Sequence, residues 1–180
     1  MSRMVPASPP YPASIQSALD KIMPAGVEPL HLFRVLARDE RLFSRFFGAS
    51  LLDRGQLSLR EREIVILRVC ANNRSEYEWG VHVTFFAERA GLGAEQVAAT
   101  LEPGSAHAAW TPRDQLLVRL CDELQRGTTV SDALWTELCA QWSDAARLEL
   151  LMLVGFYRLV STLTNTLQMP LEAYAARFPA

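Results

Sequence analysis

Cysteine is scarce in this chain, and what there is stands apart. Cys70, Cys121 and Cys139 belong to no Cys-x-x-Cys or other metal-ligand spacing. That excludes a disulfide scaffold and a cysteine metal site, and leaves the three thiols as small hydrophobes to be buried on apolar helices. Charge of one sign is missing too: 18 basic and 20 acidic residues leave a formal net charge of -2. Such a balance gives no footprint for phosphate backbones or an anionic membrane surface, so no nucleic-acid partner is expected. No hydrophobic run is long enough to span a bilayer, because the best one, residues 148 to 167, is interrupted by Glu149, Arg158, Thr162 and Asn165. The opening Met1-Ser2-Arg3-Met4-Val5-Pro6 runs into prolines rather than an apolar leader. With the odd cysteine count, that points to a cytoplasmic protein with no membrane association.

Proline is absent from two long blocks. Six of the ten prolines lie at or before residue 29, and none falls in residues 30 to 102 or 113 to 169. Helix interiors expel proline, so both blocks, which carry helical periodicity and no alternating strand pattern, predict an all-α fold. With 49% hydrophobic residues in 180, the chain has enough apolar material for one core without metal or disulfide staples. The expected organisation is a proline-rich arm with a short helix over residues 1–29, one helical domain over 30–172 and a tail over 173–180. The arm is expected to be disordered or to lie across a neighbouring subunit.

Helices are predicted near Ile15–Ile22, Pro29–Arg38 and Arg41–Leu52. Ser58-Leu-Arg-Glu61 reads as a capping box, starting a helix from Leu59 to Ala71. Asn72-Asn73 breaks it, the next helix runs from Ser75 to Ala90, and Gly91 closes that one in the left-handed conformation. Gly93–Leu101 forms a short helix. Thr111-Pro112 starts another that reaches Arg126, and Ser131 and Ser143 cap two more. The stretch Ala145–Leu167 is apolar nearly all round, as in a helix buried on every side, often between subunits. Glu63-Ile-Val-Ile-Leu and Ser75-x-x-Glu78 are echoed 86 residues on (63 to 149) by Glu149-Leu-Leu-Met-Leu and Ser161-x-x-Thr164, which suggests a duplicated helical hairpin.

Chemistry concentrates between Glu63 and His82. Positions 75, 78, 79, 82, 86 and 89 share a helix face, which gathers Ser75, Glu78, Trp79, His82, Phe86 and Arg89. A carboxylate four residues before an imidazole fixes its tautomer and favours its protonated form. Two plainer readings compete: Ser75-x-x-Glu78 is also a capping-box pattern, and a histidine beside aromatics is often a satisfied core residue. Glu63 shares a face with Ile66, Leu67 and Cys70, opposite Glu61, Arg68 and Asn72, so its carboxylate needs a partner. Either it pairs with Arg60 at the surface, or the break at Asn72-Asn73 folds the two helices into a hairpin that brings Glu63 to His82. The second arrangement makes a carboxylate–imidazole–carboxylate site suited to proton transfer. One imidazole at ordinary spacing is a poor metal site, and neither metal nor cofactor is expected.

At these residues the chain resembles the carboxymuconolactone decarboxylase and AhpD-like (alkylhydroperoxidase-like) family. The resemblance rests on Arg62-Glu63-Ile64-Val65-Ile66-Leu67-Arg68, on Tyr77-Glu78-Trp79-x-x-His82 and on Gly91-Leu92. It runs more loosely through Asp122-Glu123-Leu124, Trp135 and Gly155-Phe156-Tyr157, and covers residues 30 to 172. It implies an all-α bundle built on a central helical hairpin, a homo-oligomer, and an active site at the Glu–His hairpin. In the thiol-peroxidase branch the pattern is Glu, eleven residues, Cys, two residues, Cys, three residues, His. Carried over, it sets Glu63 and His82 on the family's Glu and His, and Ser75 and Glu78 on the two cysteines. Neither thiol is present to attack a peroxide or resolve a sulfenic acid.

The first functional expectation is therefore decarboxylation or isomerisation of a small organic acid or lactone without a cofactor. His82 would be the general acid or base, Glu78 would orient it and Glu63 would be the second proton-transfer group. Ser75, Trp79, Phe86 and Arg89 would bind substrate, with Arg89 as carboxylate clamp. The alternatives are a peroxide-reducing oxidoreductase of AhpD-like kind, for which Cys70 is the sole nearby thiol, and a helical oligomer that binds a ligand without turnover.

Overall fold

The computed structural model describes residues 2–24 and 26–179. Met1 and Ala25 of the predicted arm and Ala180 of the predicted tail lie outside them. Among the described residues all regular structure is helical: α1 (Ala13–Ile22), α2 (His31–Leu36), α3 (Glu40–Gly48), α4 (Leu59–Asn72), α5 (Glu76–Phe86), α6 (Ala94–Ala99), α7 (Pro112–Arg126), α8 (Asp132–Gln141) and α9 (Asp144–Thr166). No helix among them is long and apolar enough to cross a membrane.

The start signals work as read. Ser58 Oγ accepts from the Glu61 N–H while the Glu61 carboxylate accepts from the Ser58 N–H, the reciprocal box that begins α4. Thr111 caps α7 with Pro112 at its first position. Ser131 and Ser143 cap α8 and α9. Stops are less regular. α3 ends at Gly48 rather than Leu52, and α5 ends at Phe86. A run of turns then carries the chain to Gly91, whose φ of +66° is the left-handed conformation foreseen for it.

α4 is the central rod, packed against α5, α7 and α9. Every residue from Glu63 to Cys70 is buried. The face carrying Arg68 is thus as covered as the apolar one. α7 lies on it and supplies Asp122, whose two oxygens take both arms of the Arg68 guanidinium at 2.7 and 2.9 Å. A guanidinium held bidentately by a carboxylate is one of the few charged groups that survive such burial.

α9 departs from its expectation. Predicted to be buried all round, it buries one face only and leaves Leu148, Met152 and Leu159 about half exposed or more (62%, 57% and 49%). Nor is it a second hairpin, since it runs unbroken through the region where α4 and α5 are separated. The echo in sequence thus marks two helices that pack as neighbours.

The N-terminal arm is ordered against its own chain. Its backbone donors find carbonyls left free at helix ends: Arg3 N–H donates to Leu167 O at 2.8 Å and Ala7 N–H to Arg34 O at 2.9 Å. A small satellite core of Ile15, Leu19, Ala37 and Phe43 ties α1 to α3. Cys70 and Cys121 are buried as expected, but Cys139 is exposed.

Candidate active site

The hairpin turn decides the site. Arg74 takes a φ of +53°, Ser75 N–H donates to Cys70 O at 2.8 Å, and Asn165 from α9 donates its amide N–H to Asn73 O at 2.8 Å. α5 is thereby laid back along α4, and residues 63 and 82 face each other. Glu63 is wholly buried, and its Oε2 lies 2.7 Å from His82 Nδ1. Its Oε1 accepts from Arg62 Nε at 3.2 Å. Arg60, the surface partner otherwise open to Glu63, is bound to Asp114 instead.

On the far side of the ring, His82 Nε2 lies 3.1 Å from the Tyr157 hydroxyl and 3.4 Å from Glu78 Oε1. The imidazole thus sits between two carboxylates that are placed differently. Glu63 makes the shorter contact and has no exposure. Glu78 stands at the looser side, its Oε2 has no hydrogen-bond partner, and it lines a cavity. Burial alone would lower the His82 pKa, yet the Glu63 charge and hydrogen bond, backed by Glu78, push it up to about 9. Imidazolium is therefore the form present at neutral pH. Tyr157 is held well above its ordinary value by burial and by the Glu78 and Glu63 charges, so its hydroxyl keeps its proton.

The cavity measures about 300 Å³ and is lined by aromatic rings together with aliphatic side chains such as Ile22, Leu30, Leu52 and Val81. α5 contributes Phe85 and Phe86, α2 Phe33, α3 Phe46 and Phe47, and α9 Phe156 and Tyr157. Of the four residues expected to bind substrate, Phe86 and Arg89 line it and Ser75 and Trp79 do not. Ser75 is fully buried and bonded to the Thr164 hydroxyl at 2.9 Å. It is not a side-chain cap either, although it stands at the N-cap of α5. Trp79 lies one helical step (about 100°) from Glu78 and is turned toward α6, where its indole N–H donates to Thr100 Oγ1 at 2.9 Å. Of the named residues in Tyr-Glu-Trp-x-x-His, then, Glu78 and His82 reach the cavity, with Val81 beside them. Tyr77 is a strut that donates to Glu172 Oε1 at 2.5 Å, near the C-terminus.

Arg89 is exposed, with its guanidinium 5.7 Å from the centre of the Phe86 ring. Arg62, which backs Glu63, and Tyr157 were not singled out from sequence. Tyr157 lies in the loosely matching Gly155-Phe156-Tyr157, and nothing local tells that its hydroxyl meets a histidine 75 residues away. Cys70 lies close enough for both carboxylate charges to act on it, but it is fully buried. Burial first, then the Glu78 charge, drives its thiol well above the ordinary range, so no thiolate is available there. Among the described residues no group of three or more His, Cys, Asp and Glu is arranged to hold a metal ion.

Residues 40–117 match the carboxymuconolactone decarboxylase family. The fold is similar to that of an uncharacterized peroxidase-related protein from Silicibacter sp. TM1040, with a TM-score of 0.81 and 17% identity over 99% of this chain and 96% of that one. It is also similar to an alkylhydroperoxidase AhpD core, an uncharacterized peroxidase-related protein from Ralstonia eutropha JMP134, with a TM-score of 0.77 and 24% identity over 96% and 93% of the two chains. No curated protein matches the sequence.

Proposed function

From the premise that residues 40–117 place this chain in the carboxymuconolactone decarboxylase family, we propose that it is a cofactor-independent enzyme of proton transfer. Its reaction is decarboxylation or isomerisation of a small organic acid or lactone. The observation that carries this reading is the 2.7 Å contact of the buried Glu63 with His82 Nδ1, behind a ring whose other nitrogen lies beside cavity-lining groups. Glu63 fixes the ring and stabilises its cation, with Arg62 holding the carboxylate's second oxygen. Nε2–H is then the proton donor. Loss of carbon dioxide, or removal of an α-proton by Glu78, leaves an enolate, and the Nε2 proton of His82 passes to the Tyr157 hydroxyl as that hydroxyl gives its own proton to the enolate carbon. Glu78 stands close enough to take or return a proton on the same side. Arg89, at the cavity, suits a substrate carboxylate.

The test is a panel of small lactones and unsaturated acids incubated with the protein in deuterated water and followed by NMR. Deuterium uptake or carbon dioxide release that His82→Ala abolishes supports the reading, and its persistence in that variant ends it. Binding without any turnover would favour a ligand-binding oligomer.

A peroxide-reducing activity is favoured by the peroxidase-related description of both structural neighbours. Against it stand Ser75 and Glu78 at the thiol positions and the buried Cys70 thiol. Little or no reduction of an organic hydroperoxide with a dithiol donor is expected. Robust turnover by the unmodified protein would reverse that order. The reading also includes self-association through the exposed apolar stripe of α9.

A further inference from the structure

The inner end of the cavity is more specific than a general acid–base site requires. Glu78 is only 6% exposed, and its carboxylate makes one 3.4 Å contact with His82 Nε2 and has no partner at Oε2. A buried carboxylate oxygen without a donor is costly, and it marks the place where a ligand's donor belongs. Beside it is a surplus of the opposite kind. With His82 protonated, its Nε2–H points to Tyr157 Oη at 3.1 Å. The phenol then accepts from His82, and its own proton has no acceptor in the network. One carboxylate in want of a donor thus adjoins one phenol in want of an acceptor, in a cavity otherwise lined by phenylalanines and aliphatic side chains apart from Ser50 and Arg89.

Resting on the proton-transfer reading above, we infer that the inner end of this cavity binds a neutral hydroxyl, phenolic or enolic, carried on a flat apolar body of one or two rings. A hydroxyl donates to Glu78 and accepts from Tyr157 at once. An ammonium does only the first and a carboxylate only the second, and a carboxylate would also face the Glu78 charge in a low-dielectric setting. Charge counting agrees. Arg62 and His82 are matched by Glu63 and Glu78, so no cation is left over at the inner end, and Arg89 is exposed. The volume, about 300 Å³, lies at the lower end of ordinary small-molecule sites, and the phenylalanine lining favours a planar apolar body.

Equilibrium dialysis at pH 7 of the full chain against three probes of one shape tests this: 2-naphthol, 2-methoxynaphthalene, which lacks the donor, and 2-naphthoate, which is an anion. The naphthol is expected to bind at least about tenfold more tightly than either. In Glu78→Gln, checked for helicity by circular dichroism, that preference over the methyl ether is expected to fall about tenfold while naphthoate gains. Tyr157→Phe should weaken the naphthol by a smaller factor. Naphthoate binding as well as naphthol in the unmodified protein overturns the inference, whatever the variants do, and so does failure of the naphthol to bind. Because nothing turns over, the preference stands or falls apart from the proposed reaction. A catalytically silent protein that shows it would retain this pocket and lose only the mechanism.

Discussion

His82 carries a proton at neutral pH because two carboxylates outweigh its burial, and that balance is open to measurement without a substrate. In Glu63→Gln the stronger partner becomes a neutral acceptor and burial regains the upper hand. The midpoint of the His82 ring titration by NMR is therefore expected to fall from about 9 to below its ordinary 6.5. An unshifted midpoint would mean that Glu63 is not what holds the proton. The same shift has a consequence for stability. A histidine whose pKa is raised by folding adds stability that is complete below 6.5 and is lost as the pH climbs through about 9. The gap in urea midpoint between the unmodified protein and His82→Gln should accordingly be constant in mild acid and narrow in alkali. Once a substrate is known, His82→Ala and Glu63→Gln are each expected to lower turnover by about 10²-fold or more with helicity intact. Ser75→Ala removes a hydroxyl pair with Thr164 that lies away from the cavity, so about 1 kcal/mol of stability and little activity is at stake.

At the level of the helices, the critical contact is the crossing of the C-terminal segment over α5. Ala176 N–H donates to Thr84 Oγ1 at 2.9 Å, and Phe178 stacks edge-on against Trp79 with ring centres 5.1 Å apart. That approach is possible because residue 80 is a glycine, where a side chain would run into the Ala176 carbonyl oxygen. Gly80→Ala is thus expected to cost about 1–3 kcal/mol, as overpacking against a rigid backbone does. The loss should be read in urea denaturation together with faster proteolysis after residue 172. A variant as stable as the parent would show that the crossing is loose. Two carboxylates of α4 divide the labour: Glu61 also accepts from the Trp142 indole N–H at 2.9 Å and fastens α4 to the junction of α8 and α9, while Glu63 faces inward.

For the molecule as a whole, the unpaired feature is the stripe Leu148, Met152 and Leu159 on α9, spaced four and seven residues apart so that they stack along one face. Side chains of this size, left exposed in a row, are the mark of an association surface, and a second copy of the same helix would bury them symmetrically. Light scattering at micromolar concentration should therefore give a mass well above the 20.1 kDa of one chain. Met152→Lys should shift it toward that value. A monomer mass for the unmodified protein would refute self-association.

Helix type and most helix starts could be read directly from the chain, because capping boxes and proline exclusion are local and act over three or four residues. The hairpin that joins Glu63 to His82 was legible for the same reason: the break lies at Asn72-Asn73, midway between two ionisable residues that each share a helix face with apolar side chains. Which carboxylate makes the close contact with the ring and which lines the cavity was not, since both stand at helical spacings that fit either place and only the packing of α4 between α5, α7 and α9 decides it. Trp79 and Ser75 were placed on the site by a face too wide by one helical step. The rest of the cavity comes from the end of α1, from α2, α3 and α9 and from the segments between the first helices, whose side chains carry no local sign that they converge. Burial likewise is a property of neighbours: α4, charged on one side in sequence, is surrounded, while α9, apolar nearly all round in sequence, leaves one face open.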